Sequence, residues 1–157
     1  MFVLEIAPDI LDQIHRHGEA AYPDEGAGLL LGRVDRGLKQ VSAILSLPNA
    51  REAGARRNRY LVTAQDYLRG ELEADRLGLD VLGVFHSHPD HPNRPSEFDR
   101  EWAMPWFSYL ITSVQAGQAV GSRAWRLADD RSYFTEEEIR PSEPAPADET
   151  KSNKLPQ

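Results

Sequence analysis

A chain of 157 residues with 40% hydrophobic and 27% charged side chains carries enough apolar material for one core, and so for one domain. Its formal net charge of −7 gives no long-range attraction toward phosphate backbones or anionic bilayers, so neither nucleic acid nor membrane is expected as a partner. The absence of cysteine excludes disulfides, thiolate nucleophiles and cysteine-bound metals.

The opening MFVLEIAPDI has neither the basic start nor the long apolar core of a signal peptide, and no apolar run reaches membrane-spanning length. A cytoplasmic protein is expected, either a monomer or a small oligomer such as a homodimer. FVLEI reads as a short strand, and Pro8 then opens a helix to about Ala20 with Ile10, Leu11 and Ile14 on one side, ended by Tyr22-Pro23. GLLLGRV and QVSAILSL read as a hairpin around Asp35-Arg36-Gly37. After the irregular NAREAGARRNR, Thr63 with Asp66 three positions on signals the cap of a helix carrying Tyr67, Leu68 and Leu72, which Gly78 should stop. DVLGVF is a buried strand, YLITSV and SRAWRL are later strands, and RSYF is a short final one. The mixture predicts an α+β domain over residues 1–140. From Pro141 onward, PSEPAPADETKSNKLPQ has little to bury and is expected to be a disordered tail. Trp102, Trp106 and Trp125 are expected in the core or in helix packing.

Chemistry concentrates in HSHPDHPNRPSEFD, residues 86–99. His86 and His88 are two positions apart, so on an extended segment their side chains leave the same face and can converge on one ion. Asp99, in the first turn of a helix behind the prolines 89, 92 and 95, can supply a third ligand. Two imidazoles and a carboxylate leave a fourth position open for water, the arrangement of a hydrolytic zinc centre. Ser96-x-x-Asp99 is also an ordinary helix-capping pattern, and the two readings can coexist. His91 reads as a solvated loop histidine.

With this spacing the chain resembles the JAMM metalloproteases, or MPN-plus domains, whose signature joins His-x-His-Pro, Ser and Asp to an upstream glutamate. YPDEGAGLLLG resembles that upstream block, and the family pattern selects Glu25 over the neighbouring Asp24, which chemistry alone does not separate. Ala27 stands where bacterial relatives commonly have cysteine, away from the ligands. The resemblance implies a curved mixed β-sheet between helices, an α/β/α sandwich similar to cytidine deaminases. It implies one Zn2+ per chain held by His86, His88 and Asp99, with Glu25 moving a proton from water to the leaving amine and Ser96 facing the oxyanion.

The implied activity is hydrolysis of a peptide or isopeptide bond at the C-terminus of a ubiquitin-like protein. A small stand-alone domain is most similar to bacterial members that process sulfur-carrier proteins ending in Gly-Gly. A peptidase on unrelated proteins or small amides, and a non-catalytic scaffold, are the alternatives. Arg51, Arg56, Arg57 and Arg59 are expected to meet an acidic face of the carrier, whose tail would lie along a sheet edge near the zinc.

Overall fold

The computed structural model describes residues 2–48 and 62–142. The arginine-rich stretch and the tail beyond Ser142 lie outside the described residues. Among the described residues seven strands and three helices follow in the order β1 (Val3–Ile6), α1 (Pro8–Ala21), β2 (Ala27–Asp35), β3 (Leu38–Leu47), α2 (Ala64–Leu77), β4 (Asp80–Pro89), α3 (Glu97–Trp102), β5 (Ser108–Gln115), β6 (Gln118–Leu127) and β7 (Phe134–Pro141). Among the described residues no helix is long and apolar enough to cross a membrane.

The first helix starts with Pro8 in its opening turn, where the missing N–H costs nothing, and buries Ile10, Ile14 and Gly18. A hairpin of β2 and β3 turns through Arg36 and Gly37, both at positive φ. The second helix begins at the expected capping box, in which Thr63 N donates to Asp66 Oδ2 at 2.9 Å and Asp66 N donates to Thr63 Oγ1 at 3.1 Å. It ends at Gly78 in the left-handed conformation. Its buried face is Asp66, Gly70 and Ala74, while Leu68 and Leu72 are 59% and 61% exposed. Gly70 explains this rotation: a Cβ there would collide with the Leu29 side chain, so the helix sits down on β2 through its small residues. Tyr67 packs at the margin of the same contact.

Strand order around the sheet is β1-β3-β2-β4-β5-β6-β7, and β7 pairs back onto β1. The pairs β1–β3, β1–β7 and β4–β5 are parallel and the other four antiparallel, so the sheet is mixed as expected. It is not the open middle layer that the sandwich description implies, because the ring of strands closes. Among the described residues every strand has a neighbour on each side, although β1 covers β3 only from Lys39 to Val41. Two apolar clusters cover the two faces. Ile10 and Ile14 of α1 join Leu30, Leu82, Phe85 and Leu110 in one. Ala74 of α2 joins Leu29, Leu31, Val84 and Tyr109 in the other.

The final strand begins at Phe134, three residues later than RSYF suggests. Arg131 has φ +68 and Ser132 N donates to Asp130 Oδ1 at 3.0 Å, so residues 130–132 turn instead of extending. The acidic FTEEEIRP then takes the strand position, with buried Glu137 paired to Arg126 at 2.7 Å. Pro141 closes β7, and Ser142 N donates to Ile6 O at 3.1 Å.

Lys39 of β3 is buried near this pair. Its Nζ donates to the carbonyl of Trp106, to Ser108 Oγ at 3.0 Å and to Leu82 O at 3.4 Å, and it lies 4.2 Å from the Trp106 ring centroid. Burial, reinforced by the Arg126 charge against partial relief from Glu137, pulls its pKa down to about 7.

Candidate metal centre

The centre is built on β4, which is buried from Val81 through Pro89 between antiparallel β2 and parallel β5. Gly83 permits the tight β4–β5 approach, because a Cβ there would strike the Ser108 backbone. The strand carries on through the motif, so His86 and His88 share a face with ring centroids 5.0 Å apart. Between them Ser87 points the other way and accepts from Gly26 N at 2.9 Å, while Ser87 N donates to Gly26 O at 3.0 Å. That reciprocal pair fastens the turn before β2 to β4. It delivers Glu25, only 3% exposed, to a position 3.5 Å from His86 Nδ1.

Asp99 arrives from the opposite side on α3. Ser96 N donates to Asp99 Oδ2 at 2.8 Å and Asp99 N donates to Ser96 Oγ at 3.1 Å, the capping box that the spacing suggests. The same carboxylate lies 3.6 Å from His86 Nε2 through Oδ1 and 3.2 Å from His88 Nε2 through Oδ2. Ligand atoms of His86, His88 and Asp99 all fall within 4.8 Å of one another.

Hydrogen bonding shows that this donor set suits a cation. His88 Nδ1 is 2.7 Å from the Pro92 carbonyl, which can only accept, so Nδ1 carries the hydrogen. In the neutral ring Nε2 is then a lone pair, and it faces an oxygen of Asp99 at 3.2 Å. Two lone pairs at that distance call for a proton or a metal between them. His86 Nδ1 is buried without a hydrogen-bond partner. Desolvation alone would lower the His86 pKa, but the Asp99 charge and the Glu25 carboxylate outweigh it and raise it to about 9. Burial tends to raise Asp99, and the two imidazoles more than reverse this, holding its carboxyl well below the usual range. The pocket favours positive charge. The residues present therefore fit a zinc ion, with the Pro92 contact supplying the outer hydrogen bond that orients a ligating imidazole.

The proline-rich loop after β4 is tied down at three successive carbonyls. His91 O accepts from Ser113 Oγ at 2.6 Å, Pro92 O accepts from His88, and Asn93 O accepts from Trp125 Nε1 at 3.0 Å. Trp125 is thus a clamp on the metal loop. Trp102 and Trp106 are 56% and 47% exposed, so neither lies in the core, while Trp102 packs against Phe98 along its own helix. Arg131 donates to the carbonyls of Arg100, Glu101 and Ala103, closing the C-terminal end of α3. Nothing in local spacing marks Ser113, Trp125 or Arg131 for these roles, because each acts across 22 or more residues of sequence.

Two recesses flank the metal side chains. One, with a cavity of about 420 Å³, is lined by Glu25, His88, His91, Arg94 and Ser96. His91 therefore faces the site without joining the three clustered ligands. The other, about 140 Å³, is walled by His86 and Asp99 on the metal side and by Tyr67, Phe98, Trp102, Met104 and Tyr109 beyond.

Comparison with known proteins agrees with this geometry. The family profile of prokaryotic homologs of the JAB domain matches residues 7–128. The chain is 29% identical over 117 residues to a probable TtuB-protein conjugate cleaving protease of Thermus thermophilus, covering 73% of this chain and 74% of that one. It is 28% identical over 102 residues to the deubiquitinase BRCC36 of Camponotus floridanus, spanning 61% of this chain and 39% of that longer protein. A solution structure of a Salinibacter ruber protein superimposes with a TM-score of 0.72 at 49% identity, covering 89% of this chain and 92% of that one. With the family profile spanning most of the folded domain and the His-x-His-Pro, Ser and Asp set assembled in space, the chain belongs to the prokaryotic JAB-domain branch of the JAMM family.

Proposed function

We propose that this protein is a zinc peptidase that cleaves the amide bond following the C-terminal Gly-Gly of a ubiquitin-like protein of the sulfur-carrier type. The observation that carries the reading is the convergence of His86, His88 and Asp99, with Glu25 buried at 3.5 Å from one of those imidazoles. The names of the Thermus thermophilus and Camponotus floridanus relatives support a protein-conjugate substrate.

One zinc ion per chain would be held by His86, His88 and Asp99 and would supply Lewis acidity and a more acidic water. Glu25 accepts a proton from the attacking water and returns it to the leaving nitrogen, since an amide anion is a poor leaving group. The C–N bond breaks, the carbonyl carbon keeps the water oxygen, and the nitrogen departs as an amine. Ser96 already accepts the Asp99 amide through a lone pair, and its own hydrogen stays available to donate to the developing oxyanion. Of the two adjacent acids, Glu25 is favoured by its carboxylate lying 3.5 Å from His86 Nδ1.

The test uses zinc-loaded protein and a folded ubiquitin-like carrier extended by a peptide after Gly-Gly, with cleavage followed by mass. Cleavage should stop with chelator and return with zinc. Glu25→Gln should keep its metal by elemental analysis and lose turnover by several hundredfold or more, on the order expected for removing a proton-transfer group. A fully metallated protein that leaves the carrier intact, or a Glu25→Gln variant of near-native rate, overturns the reading.

A further inference from the structure

The smaller recess is not used by the chemistry above. It opens directly onto His86 and Asp99, and its far wall is aromatic and aliphatic. Phe98 and Trp102 lie one turn apart on α3 with ring centroids separated by 6.1 Å, and Met104 follows at the helix exit. At the base sit Tyr67 and Tyr109. Tyr109 accepts from Met104 N at 2.7 Å, which fixes the Met104 backbone in the wall. Burial raises both phenols, Tyr67 to about 12, so the base stays neutral at physiological pH. At about 140 Å³ the recess falls below the roughly 300–1,000 Å³ of sites that enclose a whole small ligand, and matches a single side chain.

We infer that this recess is a specificity subsite for an apolar side chain on the amine side of the scissile bond, with Trp102 and Met104 as its discriminating walls. The inference rests on the reading that the acyl side ends in Gly-Gly. Two glycines present no side chain, and the residue before them is roughly 7 Å from the bond in an extended tail, beyond a recess that touches the metal ligands. The residue that leaves is then the one whose side chain can enter. An acidic side chain is disfavoured because the uncharged, mostly aromatic and aliphatic wall cannot compensate its desolvation. The aliphatic stem of a lysine can also lie against the wall with its ammonium left in solvent.

Zinc-loaded protein is given one folded carrier ending in Gly-Gly-X, where X is glycine, aspartate, leucine or phenylalanine, and kcat/KM is measured for each. Leucine and phenylalanine should exceed glycine about tenfold or more, and aspartate should be slowest. In Trp102→Ala the leucine-to-glycine ratio should fall toward unity, mainly through KM. Met104→Lys should reverse the order, bringing aspartate above leucine. Circular dichroism and zinc content confirm that both variants are folded and loaded, as expected for side chains that are 56% and 38% exposed. Cleavage of all four carriers at equal rates, or an apolar preference untouched by both substitutions, removes the subsite while leaving the function reading intact. No cleavage of any carrier by the loaded protein overturns the function reading and the subsite with it.

Discussion

A single oxygen, Asp99 Oδ2, accepts the Ser96 amide at 2.8 Å and faces His88 Nε2 at 3.2 Å, so the start of α3 and the proposed metal ligand are one atom. The capping reading of Ser96-x-x-Asp99 is met through the acceptor lone pair of Ser96, which leaves its hydrogen for the oxyanion contact proposed above. Substitution can separate them. At an N-cap, glycine costs only a few tenths of a kcal/mol, whereas alanine costs about 1 kcal/mol. Ser96→Gly should therefore keep its melting temperature nearly unchanged while kcat falls about a hundredfold, the usual scale for losing one oxyanion donor. A thermal melt beside a steady-state assay checks both halves. Unchanged kcat would leave Ser96 as a cap alone. The clustering of His86, His88 and Asp99 is readable from sequence, because two imidazoles on one strand and a carboxylate on the next helix need only short-range spacing to be recognised. Glu25 needed the family pattern, since its approach to His86 depends on the Gly26–Ser87 pair bridging 61 residues.

Short-range signals also fixed most of the elements. Thr63 with Asp66, the turn at Arg36-Gly37, the stop at Gly78 and the apolar run of β4 all fall where local chemistry puts them. The outward rotation of Leu68 and Leu72 was not legible, because it follows from Gly70 lying against Leu29 of a different element. Nor was the true start of β7. An acidic strand of FTEEEIRP looks solvated until Glu137 is seen against Arg126. The six-residue α3 shows how such distant contacts reach the site. It is too short to be stable alone, and Arg131 holds its last turn by donating to three carbonyls. Arg131→Ala should loosen that turn, and with it Asp99. Because the arginine is exposed, a loss on the order of 1 kcal/mol is expected, equivalent to roughly five- to tenfold weaker zinc binding. Competition against a chromogenic chelator measures it. Wild-type affinity in Arg131→Ala would show that Asp99 is held by its capping box without help.

Across the whole domain, buried Lys39 and Glu137 with the half-buried Arg126 stand apart from the proposed metal ligands and bear on stability rather than on the site. Lys39 has a pKa of about 7 in the fold against 10.5 in its ordinary state. The unfolded chain therefore binds more protons between those values, and stability on this account rises as pH climbs from 7 toward 10.5. Below pH 7 the cost of burying the ammonium is fully present. Lys39→Met should flatten that rise, seen as a wild-type minus variant difference in denaturant midpoint across the alkaline range. An identical slope in both proteins would show that the lysine keeps its ordinary pKa. The closure of the sheet has a different kind of consequence. A strand with an open flank can recruit a strand from a neighbouring molecule, and proteins usually guard such flanks with prolines, bulges or charges. Here β7 returns to β1, so among the described residues no strand stands first or last in the sheet. A neighbouring molecule that packs on the exposed leucines of α2 therefore meets no terminal strand among the described residues that it could extend.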